Sequence, residues 1–238
     1  MNVALILSGG TGTRLGSDVP KQYIEVDDRP VISYCIEQFI KHNKIDAIQI
    51  VADRQWHRVI LKCLEKYGHL PEDCTRKFHG FSEPGENRQL SIYHGMEDII
   101  RYTSDSDVVM IHDAARPMIS AQMITDSLNA VEGHDGVLPV LSMKDTVYKS
   151  EDGAKISALL DRSKIYAGQA PETFRIGRYY EANRRLLPDR ICAVNGSTEP
   201  AVMAGMDIIM IPGDEKNFKI TTKDDMERFC EMMKRQAV

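Results

Sequence analysis

Long apolar runs are missing from this 238-residue chain. No uninterrupted stretch approaches the roughly 20 residues that a bilayer-spanning helix needs, so no membrane partner is expected. A basic segment followed by an apolar one is also missing at the start, where Met1-Asn2 leads straight into a strand-like run. No secretory signal is therefore expected. Excess positive charge is lacking too: 30 Lys and Arg stand against 35 Asp and Glu, a formal net charge of −5. A nucleic-acid partner is not expected either, and any anionic ligand must be drawn by a local group of cations. Cysteine is scarce and odd in number, at Cys35, Cys63, Cys74, Cys192 and Cys230, with no two at metal-ligand spacing. That favours a reduced, cytoplasmic setting over a disulfide framework. Repeats, low-complexity tracts and linker-like stretches are absent, so one domain spanning 1–238 is expected.

What is present begins with Val3-Ala4-Leu5-Ile6-Leu7, a short apolar run that feeds into Ser8-Gly9-Gly10-Thr11-Gly12-Thr13-Arg14-Leu15-Gly16. The pattern reads as a buried strand opening into an anion-binding loop, because glycines let backbone N–H groups approach phosphate oxygens. Arg14, and Lys21 seven residues further on, would add full positive charges. Downstream, a turn at Asp27–Pro30 leads into a helix up to His42, followed by a strand over Ile45–Val51 and a helix over Trp56–Tyr67. A weak strand over Arg76–Phe81, a helix over Asn87–Tyr102 and a strand over Asp107–Ile111 come next. Ser120 caps a helix to about Val131, and Gly136–Val140 is another strand. Such alternation implies an α/β fold: a Rossmann-like, mostly parallel sheet with helices on both faces and its functional loops at the carboxyl edge. The pattern then breaks. Asp145–Lys149 and Ala154–Leu160 read as an inserted β-hairpin arm, at about 141–165, whose apolar residues need a cover. A second subunit is the simplest cover. After helices at Ile176–Leu187 and Thr198–Met206, a strand at Ile208–Ile211 and an apolar strand at Phe218-Lys219-Ile220 precede a last helix from about Lys223 to Arg235.

Three loop types compete for the glycine segment. A Walker-type loop needs Gly-Lys followed by Ser or Thr, which is not found there. A dinucleotide fingerprint is nearly met by Gly10, Gly12 and Gly16, with Asp27 or Asp28 as ribose acceptor, and leaves an NAD-binding dehydrogenase as an alternative. The Tyr-x-x-x-Lys pair of short-chain dehydrogenases is nevertheless missing. The nucleotidyltransferase order, Gly-Gly-x-Gly-x-Arg-Leu followed by Pro-Lys, fits at every position. Asp113, just past a strand, is well placed to hold Mg2+ bridging phosphate oxygens, and Arg116 to contact a second phosphate. The alternative for that pair is a turn stabilised before Pro117. Gly85 and Ser91 could read a base edge or simply start a helix. Lys219 within an apolar segment is costly unless its charge is used, or it snorkels to the surface.

Taken together, Gly9–Leu15, Pro20–Tyr23, Gly85-x-x-Arg88-x-x-Ser91, His112–Pro117, Asp145-Thr146, Asp161-Arg162 and Asn217–Thr222 resemble the cytidylyltransferases that activate sugar-alcohol phosphates. These are the 2-C-methyl-D-erythritol 4-phosphate enzymes of isoprenoid synthesis and their D-ribitol-5-phosphate relatives of wall and capsule polymer synthesis. The resemblance spans essentially the whole chain. It implies CTP and an alditol phosphate as ligands, with methylerythritol phosphate as the first acceptor expected and ribitol phosphate as the alternative. By the same resemblance, Arg14, Lys21 and Lys219 are catalytic. Ser8, Gly9, Gly10, Gly12, Gly85, Arg88 and Ser91 bind the nucleotide. Arg116, Thr146 and Arg162 bind the acceptor, and Asp113 holds Mg2+ or another divalent cation. Arg162 would reach the neighbouring site of a homodimer. The chain departs from the methylerythritol pattern at Ala170 and at Ser197-Thr198-Glu199-Pro200, near the expected acceptor pocket.

Overall fold

The structure, a computed structural model, describes residues 1–10, 19–65 and 76–236. Thr11 to Asp18, which include Gly12 and Arg14, and Cys74 lie outside the described residues. The chain enters as β1 (Asn2–Leu7). A 3₁₀ turn at Lys21–Tyr23 precedes a small ribbon of β2 (Glu25–Val26) and β3 (Arg29–Pro30). Then come α1 (Val31–Lys41), β4 (Ala47–Val51), α2 (Arg54–Glu65), β5 (Phe78–Ser82), α3 (Arg88–Ile99), β6 (Val108–Asp113), α4 (Ala121–Ala130) and β7 (Gly136–Ser142). The arm holds β8 (Val147–Lys149) and β9 (Ala158–Leu160). The chain returns through β10 (Tyr166–Gly168) and β11 (Glu172–Arg175) to α5 (Ile176–Arg184), α6 (Glu199–Met203), β12 (Ile208–Pro212) and α7 (Lys223–Gln236).

Eight strands form one sheet in the order β10-β7-β11-β6-β1-β4-β5, with β12 on the free side of β7. β1 pairs in parallel with β4 and β6, β4 with β5, and β7 with β12. Leu7 lies opposite both Val51 and Asp113, and Val51 opposite Ser82, so four strands deliver their carboxyl ends to one edge. The chain moves from β1 to β4 on one side and later to β6 on the other. Such a reversal opens a crevice at the strand ends.

Side-chain alternation along the strands divides the core into two layers. Ala4, Ile6, Ile48, Ile50 and Met110 pack on one face with Ile36 and Phe39 of α1, Ile60 of α2 and Ile124 of α4. Val3, Leu5, Val51, Val109, Ile111 and Phe174 pack on the other with Ile92 and Met96 of α3 and Tyr179 of α5. Helices therefore cover both faces, as the alternation of elements implies. Gly95 lets α3 lie close: a Cβ there would stand 2.6 Å from Leu5 Cδ1.

Among the segments that differ from the sequence reading, two bear on the site. Phe218-Lys219-Ile220 is not a strand; it is an irregular stretch anchored by the Ile220 amide donating to Ala115 O at 2.9 Å. β11, absent from that reading, runs antiparallel between β6 and β7. Its four residues are flanked by Pro171 and a helix start, too short a window for periodicity to register. The arm forms as expected, with Val147 opposite Leu160 and Lys149 opposite Ala158 in a separate two-stranded sheet. Ile156 and Leu159 are each 67% exposed on it, and Tyr148 54%.

Candidate active site

Three described segments meet at the carboxyl edge, beginning with the exit from β1. Ser8 is pinned from beneath: Ser8 Oγ donates to Tyr23 Oη at 2.7 Å, and Gln22 Nε2 donates to Ser8 O at 2.8 Å and Gly10 O at 2.7 Å. Tyr23 also stacks on Trp56 at 4.1 Å between ring centroids. Burial pushes its hydroxyl pKa up to about 12, partly offset by the Ser8 hydrogen bond, so it stays protonated. These contacts hold half-buried Lys21, the first residue of the turn, beside the start of the glycine loop. Gly9 lies against the neighbouring loop so closely that a Cβ would stand 2.5 Å from Pro84 Cβ.

That second loop leads into α3. Asn87 caps the helix by accepting from the Leu90 amide at 2.7 Å. Ser91 Oγ accepts from the Gly85 amide at 2.9 Å and donates to Asn87 O at 2.8 Å. Gly85 and Ser91 thus form one turn beside Gly9.

The third segment is the end of β6. Strand alternation sends His112 to the α1 face and Asp113 to the α3 face. His112 packs on Phe39 at 5.2 Å between centroids and hydrogen-bonds Arg116 O at 2.9 Å. Burial lowers its pKa to about 4, so it is a neutral structural group. Asp113 collects three cations, Arg116 from the loop that follows it and Arg88 and Lys219 from distant parts of the chain: Arg88 Nε lies 3.1 Å from Oδ1, and Lys219 Nζ and Arg116 Nε lie 3.1 Å and 3.4 Å from Oδ2. Burial acts to raise the Asp113 pKa, but Arg88, Lys219 and Arg116 outweigh it and hold the carboxyl far below its usual range. The group is ionised at neutral pH.

Lys219 and Arg116 are held by backbone ties. Arg116 Nη1 donates to Asn217 O at 2.7 Å, and buried Asn217 donates to Ala170 O at 2.6 Å. Gln169 Nε2 donates to Asp214 O at 3.0 Å, while its Oε1 accepts from the Asp214 amide at 3.0 Å. Ala170, one departure from the methylerythritol pattern, therefore lies under the segment carrying Lys219. The other departure lies beside Arg88. Ser197 Oγ accepts from Arg88 and donates to Glu172, and Thr198 Oγ1 donates to Glu172 Oε2 at 3.3 Å.

The structure thus gathers Ser8, Gly9, Gly10, Lys21, Gly85, Arg88, Ser91, Asp113, Arg116 and Lys219 at one edge. Thr146 and Arg162 stay in the arm, where Arg162 donates to Lys144 O. Among the described residues no hydrogen bond or ion pair joins either of them to the Asp113 cluster. Gln22, Tyr23 and Asn217 fall inside motifs named from the sequence but were given no role there, and Glu172 was not singled out. Alternation in Glu172-Thr173-Phe174 would have found the last, since Glu172 shares the face of buried Phe174 and lies opposite Ile111.

Asp113 suits a divalent cation of the magnesium type. It is an ionised hard-oxygen donor whose Oδ1 has Arg88 as its one partner among the described residues, and such ions take one or two carboxylates plus substrate phosphates. No group of three or more His, Cys, Asp or Glu side chains among the described residues could hold a metal by itself.

A family model described as 2-C-methyl-D-erythritol 4-phosphate cytidylyltransferase matches residues 2–235. A Streptococcus pneumoniae serotype 2 (strain D39) protein named ribitol-5-phosphate cytidylyltransferase is 32% identical over 230 residues, 95% of this chain and 96% of that one. Among solved structures, the 4-diphosphocytidyl-2C-methyl-D-erythritol synthase of Anaerococcus prevotii matches with a TM-score of 0.81 at 22% identity, covering 98% of this chain and 96% of that one. A Francisella tularensis 2-C-methyl-D-erythritol 4-phosphate cytidylyltransferase matches at 0.78 and 24%, covering 96% and 97%. These two structural likenesses speak to the fold alone.

Because the Asp113 pKa is lower folded than the unfolded value of about 3.9, its ionised form contributes stability above that pH, and the contribution fades as pH falls further. Asp113→Asn should cost about 3 kcal/mol at neutral pH, in the range for breaking a buried ion pair. In urea unfolding the gap to wild type should narrow between about pH 5 and pH 3. A gap of constant size would show that the carboxylate charge does not hold the cluster together.

Proposed function

The chain belongs to the 2-C-methyl-D-erythritol 4-phosphate cytidylyltransferase family and is a cytidylyltransferase, and from that premise we propose that it transfers the CMP unit of CTP to an alditol phosphate, releasing pyrophosphate. The observation that carries this reading is the convergence of Lys219, Arg116 and Arg88 on Asp113, beside Lys21 and the turn of Gly85 and Ser91. An acceptor phosphate is already ionised at neutral pH and needs no general base. One of its oxygens attacks the α-phosphorus; the new P–O bond forms as the bond to the β-phosphate bridging oxygen breaks, and that oxygen leaves with pyrophosphate. The barrier lies in bringing two polyanions together, so positioned cations do most of the work. That accounts for a site rich in Arg and Lys in which the one buried histidine is neutral.

Arg14 and Lys21 would bind the triphosphate, with the backbone at Ser8 to Gly10 and Gly12. Gly85 and Ser91 would line the cytidine pocket. Lys219 and Arg116 would bind the acceptor phosphate. Arg88, paired with Asp113, would serve the nucleotide through that carboxylate instead of by direct contact. A divalent cation held by Asp113 and triphosphate oxygens would neutralise charge as the substrates meet.

Of the two acceptors, ribitol 5-phosphate is the first reading, because a relative 32% identical over 230 residues is named for it. Methylerythritol phosphate, the first expectation from the motifs, is the second reading and is favoured by the family model's description. The arm is proposed to cross to a second copy of the chain. Ile156 and Leu159, each 67% exposed, support this, since an apolar arm of this kind is stable in water when covered. Thr146 and Arg162 would then serve the partner's acceptor.

Pyrophosphate release with CTP should be at least tenfold faster, as kcat/KM, with ribitol 5-phosphate than with methylerythritol 4-phosphate. The reverse order would assign the second acceptor, and no release with any alditol phosphate would overturn the reaction. Replacing both Ile156 and Leu159 by Glu should turn a dimer into a monomer in sedimentation; an unchanged dimer would contradict the arm's role.

A further inference from the structure

Among the described residues, Arg88 is the one cation of the cluster that also engages a second carboxylate. Its Nε lies 3.1 Å from Asp113 Oδ1 and its Nη2 lies 3.5 Å from Glu172 Oε1. Both carboxylates are largely withdrawn from solvent, with side chains 10% and 13% exposed, so each feels the shared guanidinium strongly. Glu172 is itself held firmly. Ser197 and Thr198 donate their hydroxyls to Oε2, and Ser197 is fixed in turn by Tyr179 Oη donating to its carbonyl at 2.8 Å. Among the described residues the partners of the Glu172 carboxyl are two hydroxyls and the Arg88 guanidinium, each able to donate to it; burial pushes its pKa up and the guanidinium acts to pull it back. Nothing in the proposed transfer reaction uses this carboxylate, and a negative charge there would oppose a phosphate bound beside Asp113.

We propose that Glu172 is a positioning residue that sets, through Arg88, how readily Asp113 takes up a divalent cation. The proposal rests on the reading of Asp113 as the cation holder. Arg88 and a metal ion compete for the same carboxylate. Glu172 neutralises part of the guanidinium charge and draws one of its nitrogens aside, which weakens the hold of Arg88 on Asp113. Without Glu172, Arg88 pairs with Asp113 alone and the metal meets a stronger competitor. A planar fork can span two carboxylates in this way, whereas a lysine ammonium cannot.

The test is calorimetric titration of the full-length protein with CTP over a series of Mg2+ concentrations, with kcat measured in parallel. Glu172→Gln should raise the Mg2+ concentration giving half-maximal CTP binding by about fivefold, as expected for directly coupled neighbours. At saturating Mg2+ its kcat should return to within about twofold of wild type, which damage to the fold would not allow. In an Arg88→Lys background the same substitution should shift the midpoint by less than about twofold. An unchanged midpoint in folded Glu172→Gln, or an equal shift in both backgrounds, would overturn the proposal. Should Glu172→Gln not fold, Glu172→Asp, whose shorter carboxylate withdraws from Arg88, should move the midpoint in the same direction, and an unchanged midpoint there would overturn it equally. If wild-type CTP binding does not depend on Mg2+, or if Asp113→Asn keeps that dependence, the site reading itself fails and takes the proposal with it.

Discussion

A carboxylate held among three cations governs this molecule. Asp113 ends β6, is withdrawn from water and stays ionised because Arg88, Lys219 and Arg116 surround it. Each cation comes from a different segment: the first turn of α3, the loop after β6 and the stretch before α7. Removing the carboxylate would leave three positive charges crowded in a half-buried space. A phosphate ligand would be welcomed into the same space for the same reason, so on the proposed reading stability and substrate binding would draw on one electrostatic arrangement.

The remaining structure can be understood as the means of bringing those segments together. Parallel pairing of β5, β4, β1 and β6 ends four strands at one edge, and the reversal at β1 opens a crevice there. Backbone-directed side chains then lock the loops: Gln22 and Tyr23 under Ser8, Asn87 and Ser91 at the head of α3, Gln169 and Asn217 beneath Lys219. Amide and hydroxyl groups do this work, while the charged groups pair with Asp113. The arm stands apart, joined to the Lys219 segment by an ion pair between Lys144 and Glu215 at its root.

The parts legible in the sequence were those with strong local signals. β1 and β6 are apolar runs with special residues at their ends, and the amphipathic pattern of α1 and the Ser120 cap of α4 are equally local. The described start of the glycine motif, Ser8 to Gly10, and the His112–Pro117 motif lie at one edge, because loops after parallel strands share it. Less was legible where long-range packing decides. β11 is short and antiparallel, and its place between β6 and β7 follows from pairing partners, not from its own composition. Lys219 was expected in a strand because its neighbours are apolar. Phe218 and Ile220 instead turn to other contacts, and the lysine is explained by its ion pair to Asp113. Glu172 escaped notice because its partners lie 84 residues before it and 25 after, at Arg88 and Ser197.

If Asp113 is the centre on which phosphate chemistry is organised, a divalent ion arriving with CTP must come to rest on it. The most direct measurement is anomalous diffraction from crystals grown with CTP and Mn2+ in place of Mg2+. The account predicts one anomalous peak about 2.1 Å from an Asp113 oxygen, bridging to the triphosphate, with the base over Gly85 and Ser91. A triphosphate bound with its metal away from Asp113, and with Lys219 and Arg88 still closed on that carboxylate, would contradict it.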